Sequence, residues 1–399
     1  MEIFIARQPI FTRSKKVFGY ELLYRNSYTN KFENVDGDLA TRELLSNTAI
    51  IELSRLTEGK KAFINFTKNT LIDELPKLLP KDIVIVEILE DVEFTEEVIN
   101  ACKNLKAKGY KIAIDDFSNE QDISALVEII DIVKVDFLLT TEEEQKVICK
   151  NLKRLNIKAL AEKVETVEEF DKALKLGYDL FQGYFFSKPK IITGKHSPVA
   201  KSSFIVFIKE LKDCNSDFES LERFIRRDPS LCYKLIKYIN SAHFGMPNKI
   251  NSIKQAITLL GPRELEKWAI LVSFNIFTNQ DYEELSKNAM VRAHFCETLC
   301  DVIDKKMGAS AFLVGLFSYL DVIFSTDMKH LMEELPIEED IKRALIKNDN
   351  FLYEILNVAI NYEAMKEDEI INFNKRHNIE IETLSNIYLE CLEWLNIIT

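Results

Sequence analysis

No run of apolar residues in the chain approaches the roughly 18 needed to cross a bilayer, so no membrane-spanning helix is expected. The opening MEIFIARQPIF has an early glutamate and no basic stretch leading into a long apolar one, which argues against a secretory signal. The seven cysteines include no CxxC pair. An odd number of thiols without a paired framework fits a reducing, cytoplasmic setting. Cys296 and Cys300, four apart, read as packing on one helix face. The five histidines, at 196, 243, 294, 330 and 377, show neither HxxxH nor HExxH spacing. Positive charge is also in deficit: 52 Lys and Arg face 64 Asp and Glu, for a net charge of −12. That balance disfavours affinity for a nucleic acid polymer or an anionic membrane. A small phosphate ligand stays compatible with it where metals and local basic residues supply positive charge.

What is present describes a globular protein, 47% hydrophobic and 29% charged. Its 399 residues exceed the roughly 250–300 at which single cores stop growing, so two domains are expected. Strand-like apolar runs fall at 3–10, 17–24, 61–66, 83–89, 111–115, 131–136, 157–162 and 178–182. Helical periodicity occupies 38–57, 67–79, 94–108, 120–130, 141–154 and 166–176. This alternation predicts α/β architecture, a compact (β/α)8 TIM-like barrel over residues 1–192. The turn at Thr12–Lys16 is too short for a parallel crossover, so the first two strands should pair antiparallel and the barrel is a modified one. Residues 193–201, rich in Gly, Pro and Ser, read as a linker. From 202 to 399 the periodicity is helical, with Pro229, Pro247 and Pro262 at expected breaks, and an all-α domain follows.

Acidic and amide side chains recur at the ends of the predicted strands. They are Glu21 in GYELLYR, Asn65 in FINFT, Glu87 in IVEILE, Asp115 and Asp116 in IAIDDF, Glu162 in AEKVET and Gln182 in FQGYFFSKP. A parallel barrel gathers its strand ends on one face, where active sites are built. Carboxylates collected there repel one another unless a cation neutralises them or some stay protonated. Oxygen ligands without Cys or His suit Mg²⁺, Mn²⁺ or Ca²⁺ rather than zinc. One such glutamate alone reads as a solvated residue; the ordered set is what points to a site.

In this order and context the segments resemble the EAL family of cyclic di-GMP phosphodiesterases, from Gln8-Pro9-Ile10 to Lys188-Pro189. GYELLYR resembles the family's ExLxxR stretch, FINFT its VNxS strand, VEILE its LEITE, IAIDDF its DDFG segment, VKVD its KxD strand and FQGYFFSKP its QGxxxxxP closure. The second half resembles an HDOD domain through DPSLCYKLIKYINSAHFG, KINSIKQAITLLG and VGLFSYL. The resemblance implies two divalent ions, Mg²⁺ or Mn²⁺, and hydrolysis of cyclic di-GMP to linear pGpG. Carried over by residue, Glu21, Asn65, Glu87 and Asp115 would hold one ion, and Asp115, Asp116 and Glu162 the other. Glu162, Lys134 and Asp116 would be the catalytic group, with Lys134 on the attacking water or the phosphate. Arg25, Gln182 and Leu23 would contact the substrate, while Glu90 and Glu165 would orient loops and ligands. Read from the residues alone, Lys134 could instead pair with Asp136 or Asp131, and Arg25 could form a surface ion pair.

Three departures separate the chain from the family pattern. Leu22 replaces the small residue of the namesake motif, Lys163 replaces a glycine after Glu162, and the loop DDFSNEQDIS lacks the family's glycines. They keep open an alternative reading, a cyclic di-GMP receptor or scaffold without catalysis. In the helical half, Ser318 and Tyr319 of GLFSYLD stand where HD-type phosphohydrolases carry a His-Asp metal dyad. A hydroxyl and a phenol cannot replace that pair, so this domain is expected to bind a protein partner and to regulate. The resemblance also allows a homodimer through the barrel.

Overall fold

The computed structural model describes residues 3–26, 53, 56–117, 126–183, 198–214, 218–226, 229–241, 244, 249–277, 283–304, 306–324, 326–364 and 366–398. The chain forms two compact units, Met1–Lys188 and Pro189–Thr399. Among the described residues no helix is long and apolar enough to cross a membrane.

In the first unit eight strands close into a barrel in sequence order. They are β1 (Ile3–Thr12), β2 (Val17–Asn26), β3 (Lys61–Phe66), β4 (Val84–Ile88), β5 (Lys111–Ile114), β6 (Ile132–Asp136), β7 (Lys158–Glu162) and β8 (Leu180–Phe181). β2 through β8 pair in parallel, whereas β1 runs antiparallel to both β2 and β8. The tight turn after Thr12 thus dictates the reversal expected of it. A register shift between Ile10 and Phe11 lets β1 serve both neighbours. Gly19 is required where β2 meets β3, because a Cβ there would lie 2.6 Å from the Lys61 carbonyl oxygen.

The barrel floor is a layer of buried side chains, one from each of seven strands: Ile10, Phe63, Ile85, Ala113, Ile132, Leu160 and Leu180. Removing its larger members from water stabilises the fold by about 1.5–3 kcal/mol each. Surrounding helices obey local signals. Glu142–Arg154 and Val167–Leu176 both start with a capping box, Thr141 with Glu144 and Thr166 with Glu169. The helix expected over 67–79 is broken into Lys68–Ile72 and a 3₁₀ turn at Leu75–Leu78. Glu74 takes a left-handed backbone there and Pro76 cannot continue the hydrogen-bond ladder. Of the stretch 120–130, residues 126–130 form turns instead of a helix, while 120–125 lie outside the described residues. Most of 38–57 does so too.

The second unit is all-helical among its described residues, from Pro198–Cys214 to Ile381–Ile398. Residues 198–201 of the segment read as a linker form the first turn of Pro198–Cys214. Pro229 opens the helix Pro229–Ile239, and Gly261–Pro262 kinks the long helix Ile253–Phe277. The helix Glu283–Ile303 is buried along most of its length, with Cys296 and Cys300 both inside. Cys102, Cys149, Cys232, Cys296, Cys300 and Cys391 are free thiols.

Candidate active site at the carboxyl ends of the barrel strands

Side chains two residues apart on a strand share a face, and this periodicity builds the site. Two residues beyond each floor residue of β3 to β8 stand Asn65, Glu87, Asp115, Lys134, Glu162 and Gln182. Glu21 takes the corresponding place two beyond Gly19 on β2. On the reversed β1 the equivalent residue lies two before Ile10 and is Gln8. A polar ring therefore sits directly on an apolar floor.

Lys134 occupies the middle of the ring. It is 1% exposed, and its ammonium lies 2.9 Å from Asp115 Oδ1, 2.8 Å from Glu162 Oε1 and 3.3 Å from Glu21 Oε2. It also donates to Glu87 Oε1. The other partners considered for it are engaged elsewhere: Asp131 accepts from Lys106 at 2.6 Å, and Asp136 pairs with Lys163. Burial works against the Lys134 ammonium, but Glu21, Glu87, Glu162 and Asp115 together hold its pKa well above the usual lysine range. The carboxyls respond in the opposite sense. Burial drives Glu87 well above the usual carboxylate range against the pull of Lys134. Glu162 is pushed up to about 8, by burial first and by Asp115 and Glu21, with Lys134 opposing. Asp116 is raised by burial and by its neighbour Asp115. Burial and mutual repulsion both favour the protonated forms of these carboxyls, and the single ammonium opposes them.

The amides complete the ring. Gln182 Nε2 donates to Glu21 Oε2 at 2.6 Å and to Gln8 Oε1 at 2.7 Å. Gln8 was not singled out from the sequence; the reversal of β1 together with the inward Ile10 is the signal that finds it. Gly183, after Gln182, has φ +144, and a Cβ on it would lie 2.3 Å from the Val164 carbonyl oxygen, so no larger residue fits. Leu23 is half-buried on β2, opposite Ala6 of β1. Glu90 is exposed in the turn after β4 and bears electrostatically on Asp116. The Glu165 amide donates to Glu169 Oε2 at 2.7 Å, within the loop that leads to Val167–Leu176. Arg25 is the next-to-last residue of β2, opposite Phe4, and its side chain lies outside the described residues, as does the whole loop 118–125.

Asp115, Asp116 and Glu162 each offer an oxygen within 4.8 Å of the others, close enough to share a cation. Glu87 Oε2 and Gln182 Oε1 are buried acceptors with no hydrogen-bond partner among the described residues. Orphaned oxygens beside a carboxylate cluster with no sulfur or imidazole donor fit a hard divalent cation.

In the helical unit a polar cluster forms around Arg292. Arg292 is buried and forks onto Glu363, with Nε to Oε1 at 3.0 Å and the second bond from Nη2 to Oε2. It also donates to Ser318 Oγ at 2.9 Å and to the Tyr319 hydroxyl, and lies over the Tyr319 ring. Ser318 and Tyr319 are thus both bound to one guanidinium. His294 stacks on Trp394 with centroids 4.5 Å apart, and its Nδ1 lies 3.5 Å from Glu297.

Against known proteins, the EAL domain family matches residues 2–189 and the HDOD domain family residues 198–343. The Bacillus subtilis protein named "Uncharacterized protein YuxH" is 37% identical over 403 residues, covering 99% of this chain and 98% of its own. The Vibrio cholerae "Cyclic di-GMP phosphodiesterase CdgJ" is 30% identical over 399 residues, covering 98% and 92%. A solved EAL domain protein from Listeria monocytogenes is 25% identical, with a TM-score of 0.39 over 47% of this chain and 88% of its own. The chain belongs to the family of two-domain proteins in which an EAL domain is followed by an HDOD domain.

Proposed function

We propose that the barrel is a metal-dependent phosphodiesterase acting on cyclic di-GMP, with linear pGpG as product. The supporting observation is the polar ring itself, in which four carboxylates surround one buried lysine above an apolar floor. In this reading Glu21, Asn65, Glu87 and Asp115 hold one divalent ion, Mg²⁺ or Mn²⁺, and Asp115, Asp116 and Glu162 hold a second. When bound, such ions supply positive charge to the scissile phosphate and lower the pKa of a water. The chain's own groups prepare for that. Gln182, braced by Gln8, fixes the Glu21 carboxylate, while Lys134 keeps a positive charge where phosphate or water must sit. Burial and the neighbouring Asp115 and Glu21 raise the Glu162 pKa to about 8, and a bound divalent ion would favour its ionised form. Arg25 and Leu23 serve the nucleotide, and Glu90 and Glu165 steady the loops. Residues 1–192 form the catalytic domain, which the resemblance allows to pair as a homodimer, and residues 202–399 a partner-binding domain. The free thiols fit work in the cytoplasm.

Lys163, standing beside Asp116 at a left-handed backbone, favours a second reading, a nucleotide receptor without turnover. One experiment separates the two. Purified chain is incubated with cyclic di-GMP and either Mg²⁺ or Mn²⁺, and pGpG is followed alongside nucleotide binding. Turnover that vanishes with chelator and in Glu162→Gln supports the enzyme. Tight binding with no product supports the receptor, and absence of both removes cyclic di-GMP from the account.

A further inference from the structure

Lys163 follows Glu162 directly, at the end of β7. Continuing the strand would turn its side chain away from the barrel interior, but its backbone turns left-handed, with φ +54. Glycine adopts that conformation freely and lysine does so only under strain, so something must hold it. The holding group is Asp136, which lies opposite Glu162 in the register of β6 and β7 and accepts the Lys163 ammonium through Oδ2. Asp136 is itself fixed, because its Oδ1 accepts the amides of Leu138 at 2.8 Å and Leu139 at 3.0 Å. The ammonium is thus held at Asp136, the cross-strand neighbour of Glu162, and its positive charge bears on Asp116 and Glu162. Two of the three carboxylates close enough to share a cation therefore feel it.

We propose that Lys163 is a built-in competitor for the second cation, lowering divalent affinity at Asp115, Asp116 and Glu162 relative to the first site. Its charge bears on residues of that site, so the barrel takes up its two ions in separate steps. The proposal rests on the two-ion reading above. Because the Lys163 side chain is 52% exposed, solvent and salt screen the effect and moderate it.

The test is Mn²⁺ titration of the full chain by calorimetry at low ionic strength, for wild type, Lys163→Gln and Lys163→Arg. Both substitutions keep the same backbone requirement, and only the first removes the charge. Lys163→Gln should tighten the weaker step by about three- to tenfold, leave the tighter step within twofold, and lose its advantage in added salt. Lys163→Arg should follow wild type. Two Mn²⁺ steps with no change in Lys163→Gln would overturn the inference while leaving the two-ion reading intact. An equal shift in Lys163→Arg would overturn it too, since the cause would then be side-chain shape and not charge. No Mn²⁺ binding by any of the three would overturn the two-ion reading itself, and the inference with it.

Discussion

Replacing Lys134 with methionine deletes the ammonium that the buried Glu21, Glu87 and Glu162 share with the half-buried Asp115. At about 3 Å and an effective dielectric of about 20, a contact with an ionised carboxylate is worth roughly 5 kcal/mol before desolvation of the ammonium is subtracted. Removing one partner from a buried ion cluster has a net cost of about 3–5 kcal/mol. The carboxyls can soften the loss by taking up protons. A carboxyl whose folded pKa lies above its unfolded value favours the folded state while protonated and loses that advantage as pH rises. Glu162, already at about 8 with Lys134 present, therefore predicts a larger deficit at pH 9 than at pH 6. Trp268 and Trp394 both belong to the helical unit, so tryptophan fluorescence does not read the barrel. Hydrogen exchange of peptides covering β3 to β5 does. In EDTA at pH 9 those peptides should lose protection in Lys134→Met and regain it with Mn²⁺. Equal protection in the variant and wild type under those conditions would refute the role of Lys134 as the internal counter-cation.

Two further predictions concern the helical unit. Arg292→Met should destabilise it, by less than the roughly 3–5 kcal/mol of a fully buried pair, because the half-buried Glu363 carboxylate loses its guanidinium. Arg292→Met combined with Glu363→Leu should recover part of that in a fluorescence-monitored denaturation, and equal loss in both would contradict the pairing. Glu297 is held below the usual carboxylate range despite its burial, by His294 and by Lys267 at 2.6 Å. Its contribution to stability is present above the unfolded carboxyl pKa and disappears as pH falls through the lower folded value. Glu297→Gln should therefore flatten the loss of thermal stability between about pH 5 and pH 3, followed by tryptophan fluorescence. An unchanged acid slope would argue against it.

Most of the barrel was legible because its strands are short β-branched runs with a polar residue delivered at the end, a local pattern. The reversal of β1 was legible for an equally local reason, the length of the turn between Thr12 and Lys16. What escaped depends on register. Gln8 was hidden because on a reversed strand the site residue precedes the floor residue. Lys134 had two sequence-near acids to choose from, and the register of β6 instead set it among Glu21, Glu87, Asp115 and Glu162. The tie from Lys163 to Asp136 joins neighbouring strands through a backbone angle that no periodicity announces. The break in the helix at Glu74 was missed because one residue in a left-handed conformation outweighs an apolar repeat.

The reversed first strand also has a practical consequence. Because Ile3 lies opposite Asn26, the chain enters the barrel on the side where the other strands finish. Anything joined ahead of β1, whether an affinity tag, a fluorescent reporter or a natural upstream module, emerges on the face where the strands deliver the polar ring. A fusion there stands over the opening and would hinder or filter what reaches it. Recombinant work on this protein is therefore better served by a handle that does not precede β1.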